Sequence, residues 1–300
     1  MIAAERLRRI GDLLLEDQFV SILSLSQMLG VSPMTIRRDL KRLEGMGICE
    51  RTHGGAVARG ATFVRDIPYN ARESLFVEEK ATIGRRAAQM VQEGETIAID
   101  GGTTTVHMAA ALRARQNITV ITNSLHVMNQ LSDSRGITVI STGGTLSTAM
   151  HEEPGQGDPC LVGPLAEANM RRFRPSKAFM ATTGITLADG LSNEVLEQAT
   201  MKLAMIESCA QVILLADHTK FGHVAASIVG PVSLVHQIVV DSGLPDDQRR
   251  AFEQAGVEVI KVEPLPQSTG DLPAARRRAA IRQAAQGAGA SAKDAPQKGS

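Results

Sequence analysis

The sequence predicts two folded parts, an N-terminal winged helix-turn-helix and a larger, mostly parallel α/β domain. Three observations carry this. A short cationic amphipathic helix follows a glycine-containing turn near residue 30, and a hairpin pattern follows that helix. From residue 96 onward, short β-rich runs alternate with helical segments, as in a parallel sheet covered on both faces. At 300 residues the chain exceeds one typical core, so two domains are expected on length alone.

The helix lies within Val31–Gly47, VSPMTIRRDLKRLEGMG. Ser32 followed by Pro33 reads as its start, since a hydroxyl caps free N–H groups and proline suits the first helical position. At about 100° per residue, Ile36, Leu40 and Leu43 share one stripe, and Arg37, Arg38, Lys41 and Arg42 share the opposite side. Asp39 and Glu44 are placed at the flanks. Upstream, Leu25–Leu29 is a second short helix, broken by Gly30-Val31-Ser32. Two short helices around such a turn form a helix-turn-helix, whose second helix enters the DNA major groove. Residues 48–58 (ICERTHGGAVA) then read as a hairpin with Gly54-Gly55 at its tip, a wing suited to phosphate or the minor groove.

Residues 2–17 form the first helix of this head. Leu7, Ile10, Leu13 and Leu14 recur at helical spacing and are expected to pack on Met28, Leu29, Ile36 and Leu40. Residues 60–77 contain Pro68 and little periodicity and read as a linker. A helix is predicted at 78–91, stopped by Gly94.

Strands are predicted at 96–100, 118–122, 137–142, 178–184, 212–217, 238–241 and 257–262, mostly with helices between. One after another they end in small or polar residues: Asp100-Gly101-Gly102-Thr103-Thr104-Thr105, Thr122-Asn123, Thr142-Gly143-Gly144, Thr182-Thr183-Gly184 and Asp217. Ligands bind at the carboxyl edge of an open parallel sheet. DGGTTT running into a helix is the sharpest of these segments, because glycines allow close backbone approach and a helix start offers free N–H groups to an anion. It is neither a Gly-Lys-Ser/Thr phosphate loop nor a GxGxxG fingerprint. In DHTKFG (217–222), Asp217 and Lys220 serve either a ligand or a simple turn. Residues 264–300 lose periodicity, carry Arg276-Arg277-Arg278 and Arg282, and are expected to be a disordered tail.

Composition narrows the function. Hydrophobic residues make up 43% and charged residues 21%, ordinary for a soluble globular chain. Aromatics are 3%, with no Trp and Tyr69 the single Tyr, which argues against stacking-based single-strand binding. Net charge is zero, but residues 1–60 carry nine Lys/Arg against seven Asp/Glu, 61–263 carry seventeen against twenty-three, and 264–300 carry six against two. A mildly basic head on an acidic body fits a DNA-binding domain attached to a domain with another task. Cys49, Cys160 and Cys209 show no zinc or CxxC spacing and read as buried free thiols. His151, Glu152 and Glu153 lie in one loop, and His218 and His223 lack a third ligand, so no metal site is expected. There is no signal peptide and no apolar run of about 18 residues, which points to the cytoplasm.

TIRRDLKRLEGMG followed by RTHGGA resembles the winged helix-turn-helix of the DeoR family of bacterial sugar-metabolism regulators. The stretch 78–241 is similar to the family's sensor domain, whose fold is similar to ribose-5-phosphate isomerase. Its matching motifs are DGGTTT (100–105), TNS (122–124), TGG (142–144), LVGPLAE (161–167), KAFMATTGI (177–185), GL (190–191) and DHTKFG (217–222). The resemblance implies double-stranded operator DNA as partner, a phosphorylated sugar as effector, no cofactor, no catalytic residue and a homo-oligomer, dimer or tetramer. The domains become 1–59 DNA-binding, 60–77 linker, 78–263 sensor and 264–300 tail. DNA contacts are expected from Ser32, Thr35, Arg37, Arg38, Lys41 and Arg42, and from Arg51 and His53 on the wing. Effector contacts are expected from Asp100, Gly101, Gly102, Thr103, Thr104, Thr105, Asn123, Gly143, Gly144, Asp217 and Lys220.

Two departures stand out: Gly101 replaces the family's usual Ser, and residues 148–159 form a longer segment, expected to be a neutral surface loop. The function implied is a transcriptional regulator of a carbohydrate operon, with repression the expected sign. The rival is a sugar-phosphate isomerase with an accessory head, since fold does not determine function. A third reading is an architectural DNA binder whose body only oligomerises.

Overall fold

A computed structural model describes residues 3–17, 19–46, 48–52, 54–58, 69–147 and 157–263. The expected tail, most of the 148–159 loop and His53 lie outside the described residues.

The head is α1 (Ala3–Asp17), β1 (Phe19–Ser21), α2 (Ile22–Leu29), α3 (Pro33–Gly45), β2 (Cys49–Arg51) and β3 (Gly55–Ala58). Ile10, Leu14, Ile36 and Leu40 are fully buried, and Leu25 and Leu43 nearly so, giving the three helices one apolar core. β3 pairs antiparallel with β2 and also with β1, a short strand absent from the sequence reading. That extra strand explains Gly55. It lies inside β3 opposite Ser21 rather than at the hairpin tip, and a Cβ there would collide with the Val20 carbonyl. Met28, expected in the core, is 61% exposed, because the helix buries Ile22 and Leu25 instead.

The body begins within the expected linker. Tyr69–Ser74 is a helix (α4), followed by α5 (Val77–Gln89). Then come β4 (Thr96–Ile99), α6 (Thr103–Leu112), β5 (Ile118–Thr122), α7 (Leu125–Leu131), β6 (Ile137–Ser141), β7 (Thr145–Ser147), β8 (Cys160–Val162), α8 (Pro164–Met170) and β9 (Lys177–Met180). The remainder is β10 (Gly184–Thr186), β11 (Gly190–Asn193), α9 (Leu196–Ser208), β12 (Gln211–Leu215), β13 (Ser227–Gly230), β14 (Gln237–Asp241), α10 (Asp246–Gln254) and β15 (Glu258–Val262).

Seven strands form one sheet, ordered β15-β14-β12-β9-β4-β5-β6, with every pairing parallel. Alternate residues serve opposite faces. Ile97, Ile99, Val120, Phe179, Ile213 and Val239 pack with α5, α6 and α7 residues such as Ile83, Met108 and Val127. Ala98, Ile121, Met180, Leu214 and Ile238 pack with α8, α9 and α10 residues such as Met170, Met205 and Phe252. Burial on both sides accounts for the near-continuous apolar runs of these strands.

The chain leaves β4 toward β5 and β6, then returns to place β9 on the other side of β4 and continues outward through β12, β14 and β15. The order therefore reverses between β4 and β9, and this crevice is where an open α/β sheet holds a ligand. Two smaller features escaped the sequence reading. β10, β11 and β13 make an antiparallel sheet, so the run expected as a strand to residue 184 stops at Met180. β7 and β8 pair across the long loop.

Candidate functional site

The turn before α3 is tightly specified. Gly30 sits at φ 64° in the left-handed region and closes α2. Ser26 Oγ donates to the Val31 carbonyl at 2.6 Å. Ser32 caps α3, its Oγ accepting the Thr35 N–H at 3.2 Å and lying 3.0 Å from Thr35 Oγ1. Arg37, Arg38, Lys41 and Arg42 are all exposed on the face opposite Ile36, Leu40 and Leu43.

The acids of this helix lie at the flanks where the wheel placed them, but each is engaged by another element. Asp39 is 2% exposed, and Arg6 of α1 donates to it through Nε at 2.5 Å and Nη2 at 3.3 Å. Glu44 binds the wing: Arg51 donates to it through Nε at 2.6 Å and its backbone N–H at 3.1 Å. These hydrogen bonds hold the Glu44 carboxyl below its usual range. Both carboxylates are thereby neutralised away from the cationic face. Arg51 is tied to the end of α3 by a partly exposed ion pair, a kind that contributes little to stability.

In the body, a polar pocket opens at the β4/β9 crevice. Asp100, Gly101 and Gly102 line it from the β4–α6 loop, Asn123 from the end of β5, and Thr182 and Thr183 from the loop after β9. Arg72 on α4, Asp158 just before β8, Cys160 at the start of β8, Ala181 after β9, Asn193 at the end of β11, Glu194 and Val195 between β11 and α9, and Gln198 and Lys202 on α9 also line it. Asp100 is 2% exposed and joins the two crevice loops. Its Oδ2 accepts the Ala181 N–H at 3.1 Å and the Lys202 ammonium, which also donates to the Ala181 carbonyl at 3.0 Å. Gly102, at φ 144°, starts α6, and a Cβ there would lie 2.6 Å from the Ala181 Cβ. The helix start is thus held bare against the pocket. Gly101 has the same sense: a side chain there would meet Cys160 Sγ. Burial, then the charges of Asp158 and Asp100, raises the Cys160 thiol well above its ordinary value, so it behaves as a neutral wall.

Among the expected ligand residues, Asp100, Gly101, Gly102 and Asn123 are brought together. Thr103, Thr104 and Thr105 are buried in the first turn of α6 and do not line the pocket; Thr105 Oγ1 donates to the Gly102 carbonyl at 2.8 Å. Gly143 (φ 65°) and Gly144 (φ 109°) are also outside the lining; a Cβ on Gly144 would lie 2.6 Å from the Val162 carbonyl, so it serves the close β7–β8 approach. Asp217 accepts the Thr219 N–H at 3.1 Å and caps a short turn, and Lys220 ends that turn; neither lines the pocket. Of the two readings of DHTKFG, the turn describes Asp217.

Arg72, Asp158 and Lys202 were missed. Lys202 left a signal, being a single cation among Ala199, Met201, Ala204 and Met205 on a buried helix face. Arg72 and Asp158 left none, because the segments carrying them read as linker and surface loop. Asp158 is in fact 9% exposed, which corrects the surface reading for that end of the loop. α4 is itself fastened: Tyr69 stacks on His126 with ring centroids 4.1 Å apart, and Lys80 donates to the Arg72 and Leu75 carbonyls, the latter at 2.8 Å. Burial lowers the Lys80 ammonium to about 8. Among the described residues no cluster of three metal-ligating side chains exists, and no helix is long and apolar enough to cross a membrane.

Comparison with known proteins gives two family matches: a DeoR-like helix-turn-helix domain over residues 6–61 and a DeoR C terminal sensor domain over 75–242. The chain is 36% identical over 261 residues to the HTH-type transcriptional regulator GlpR of Haloferax volcanii, covering 87% of this chain and 98% of that one. It is 34% identical over 258 residues to the transcriptional repressor AccR of Agrobacterium fabrum, covering 83% and 96%. Ribose 5-phosphate isomerase A of Methanocaldococcus jannaschii matches at 13% identity and a TM-score of 0.34, over 47% of this chain and 53% of that one, a likeness too slight to bear on activity. Both of these relatives, matched over nearly their whole length, are named as regulators, and the isomerase alternative falls away.

Proposed function

The chain belongs to the DeoR family of transcriptional regulators, and from that premise we propose that it represses a carbohydrate-metabolism operon under control of a phosphorylated sugar. The head binds double-stranded operator DNA through α3, with Thr35 and the first turn near base edges and Arg37, Arg38, Lys41 and Arg42 on bases and phosphate. Arg51 and His53 contact backbone from the wing. The effector lies in the β4/β9 pocket.

One observation carries this reading most: the bare start of α6 at Gly101-Gly102 and the Arg72 guanidinium line the same pocket. Free N–H groups at a helix start and a fork-shaped cation are matched to phosphate. Arg72 lies on α4, the first described element after the 59–68 segment that follows the head in sequence. An anion drawing on Arg72 therefore acts on the chain leading to the DNA-binding domain. The switch requires the effector to bind the operator-competent and released arrangements with different affinity. A dimer or tetramer places two heads on two half-sites.

The test is operator binding by the full chain at fixed salt, titrated with sugar phosphates. A change in apparent affinity with one class of compound is expected. Specific DNA binding unmoved by every compound overturns the effector assignment and leaves the regulator.

A further inference from the structure

Two buried acceptors in the pocket have no hydrogen-bond partner among the described residues: Asn123 Oδ1 and Asp158 Oδ1. Asn123 is 2% exposed and Asp158 is 9% exposed, and both line the pocket. Buried polar atoms are almost always satisfied, so such a pair on one wall calls for a ligand that brings donors. The carboxylate lies against the phosphate-type loop, its Oδ2 placed 3.5 Å from where a Cβ on Gly101 would stand.

The two acceptors sit on rigid supports. The chain after β5 runs antiparallel to the chain entering β8, with Leu161 N–H donating to the Asn123 carbonyl at 2.7 Å and Leu125 N–H to the Pro159 carbonyl at 3.1 Å. Gln198 Nε2 donates to the Asp158 carbonyl at 3.5 Å. These bonds hold the backbone of both residues beside the pocket.

Their chemistry is selective. An anion is repelled by Asp158 and finds its complement at Arg72 and the α6 start. Neutral hydroxyls donate, one to each orphaned oxygen. We infer that Asp158 and Asn123 receive hydroxyl groups of the effector's carbon chain, and that Asp158 makes the pocket select a polyhydroxylated anion over a bare one. This rests on the pocket being the effector site. Asp158 is a specificity residue in this scheme, with the anion held elsewhere in the same pocket.

The experiment is calorimetric titration of the full chain and its Asp158→Ala and Asp158→Asn variants. The probes are inorganic phosphate, ribose 5-phosphate, glucose 6-phosphate and singly deoxygenated analogues of each sugar phosphate. Wild type should bind at least one sugar phosphate about tenfold or more tightly than a deoxy analogue, because a site that pairs a hydroxyl leaves its acceptors unpaired without it. Asp158→Ala should lose that preference and bind inorganic phosphate at least as tightly as wild type, because the repelling carboxylate is gone, which also reports that the pocket is folded. Asp158→Asn, nearly isosteric, should fall between. Asp158→Ala retaining the full deoxy discrimination overturns the inference, as does a wild type that binds sugar phosphates without discriminating; in both cases the pocket stands as an anion site. A wild type that binds none of the probes overturns the inference and the effector reading together.

Discussion

Arg6 of α1 and Asp39 of α3 form a buried ion pair, Nε to Oδ2 at 2.5 Å, with side-chain exposures of 10% and 3%. The contact joins the first helix to the DNA-facing helix, and it removes one negative charge from among Arg37, Arg38, Lys41 and Arg42. Asp39→Ala leaves a guanidinium without its partner and should destabilise the head by about 1–3 kcal/mol. The paired change Arg6→Met with Asp39→Leu should cost less, since breaking one side of such a pair is worse than replacing both. Urea unfolding of single and double variants measures the difference; equal losses in both would mean the pair contributes packing alone.

Arg38 tests the cationic face. Arg38→Ala should weaken operator binding about tenfold or more, and if it meets phosphate the slope of log affinity against log salt should fall by about 1. Effector binding should persist, because the pocket is built from other residues. Unchanged operator affinity removes Arg38 from the interface.

Asp100 ties Ala181 to Lys202 across the crevice. Asp100→Ala strands a buried ammonium and should cost about 3 kcal/mol, with loss of effector response. The head has its own core of Ile10, Leu14, Leu25, Ile36 and Leu40, so operator binding at low temperature should survive. Loss of DNA binding with an intact effector response would reverse the assignment of the two parts.

Lys80 makes stability depend on alkaline pH. Its folded value of about 8 lies below the ordinary 10.5 through burial. Between about pH 8 and pH 10.5 the unfolded chain therefore holds the proton that the folded chain has released, and stability rises with pH across that window. The full rise is on the order of 3 kcal/mol for a shift of this size. Lys80→Met should lack it, so the difference between the two proteins' unfolding free energies from pH 7 to 10 isolates the term. A flat difference would place the ammonium in a solvated setting.

His218 gives the opposite slope. Burial disfavours its charge, but the hydrogen bond and charge of Asp241, 2.7 Å away, raise it above 6.5. A raised base contributes stability fully present below pH 6.5 and lost as pH rises through the folded value. His218→Asn should remove that loss, checked by thermal unfolding from pH 5.5 to 8.5; an unchanged profile would mean His218 does not gain from Asp241 when charged.

What the sequence determined by itself was everything governed by short-range periodicity. Ile36, Leu40 and Leu43 at helical spacing set the buried face of α3 and, by exclusion, its cationic face. The seven apolar runs became the seven parallel strands because two-sided burial demands continuous hydrophobicity. Gly101-Gly102 after a strand marked the loop that lines the pocket, since only a bare backbone suits a helix start approached so closely. The tertiary structure alone decided which distant residues share that pocket. The reversal of strand order between β4 and β9 puts Asp100 beside Ala181 and lets Lys202 reach both, while it leaves Gly143, Gly144, Asp217 and Lys220 outside. Arg72 and Asp158 come from segments without periodicity, and only the packing of those segments against elements far along the chain brings them to the pocket wall. Asp39 shows the same limit within one helix: the wheel located it correctly in angle, but only the arrival of Arg6 from α1 could bury it.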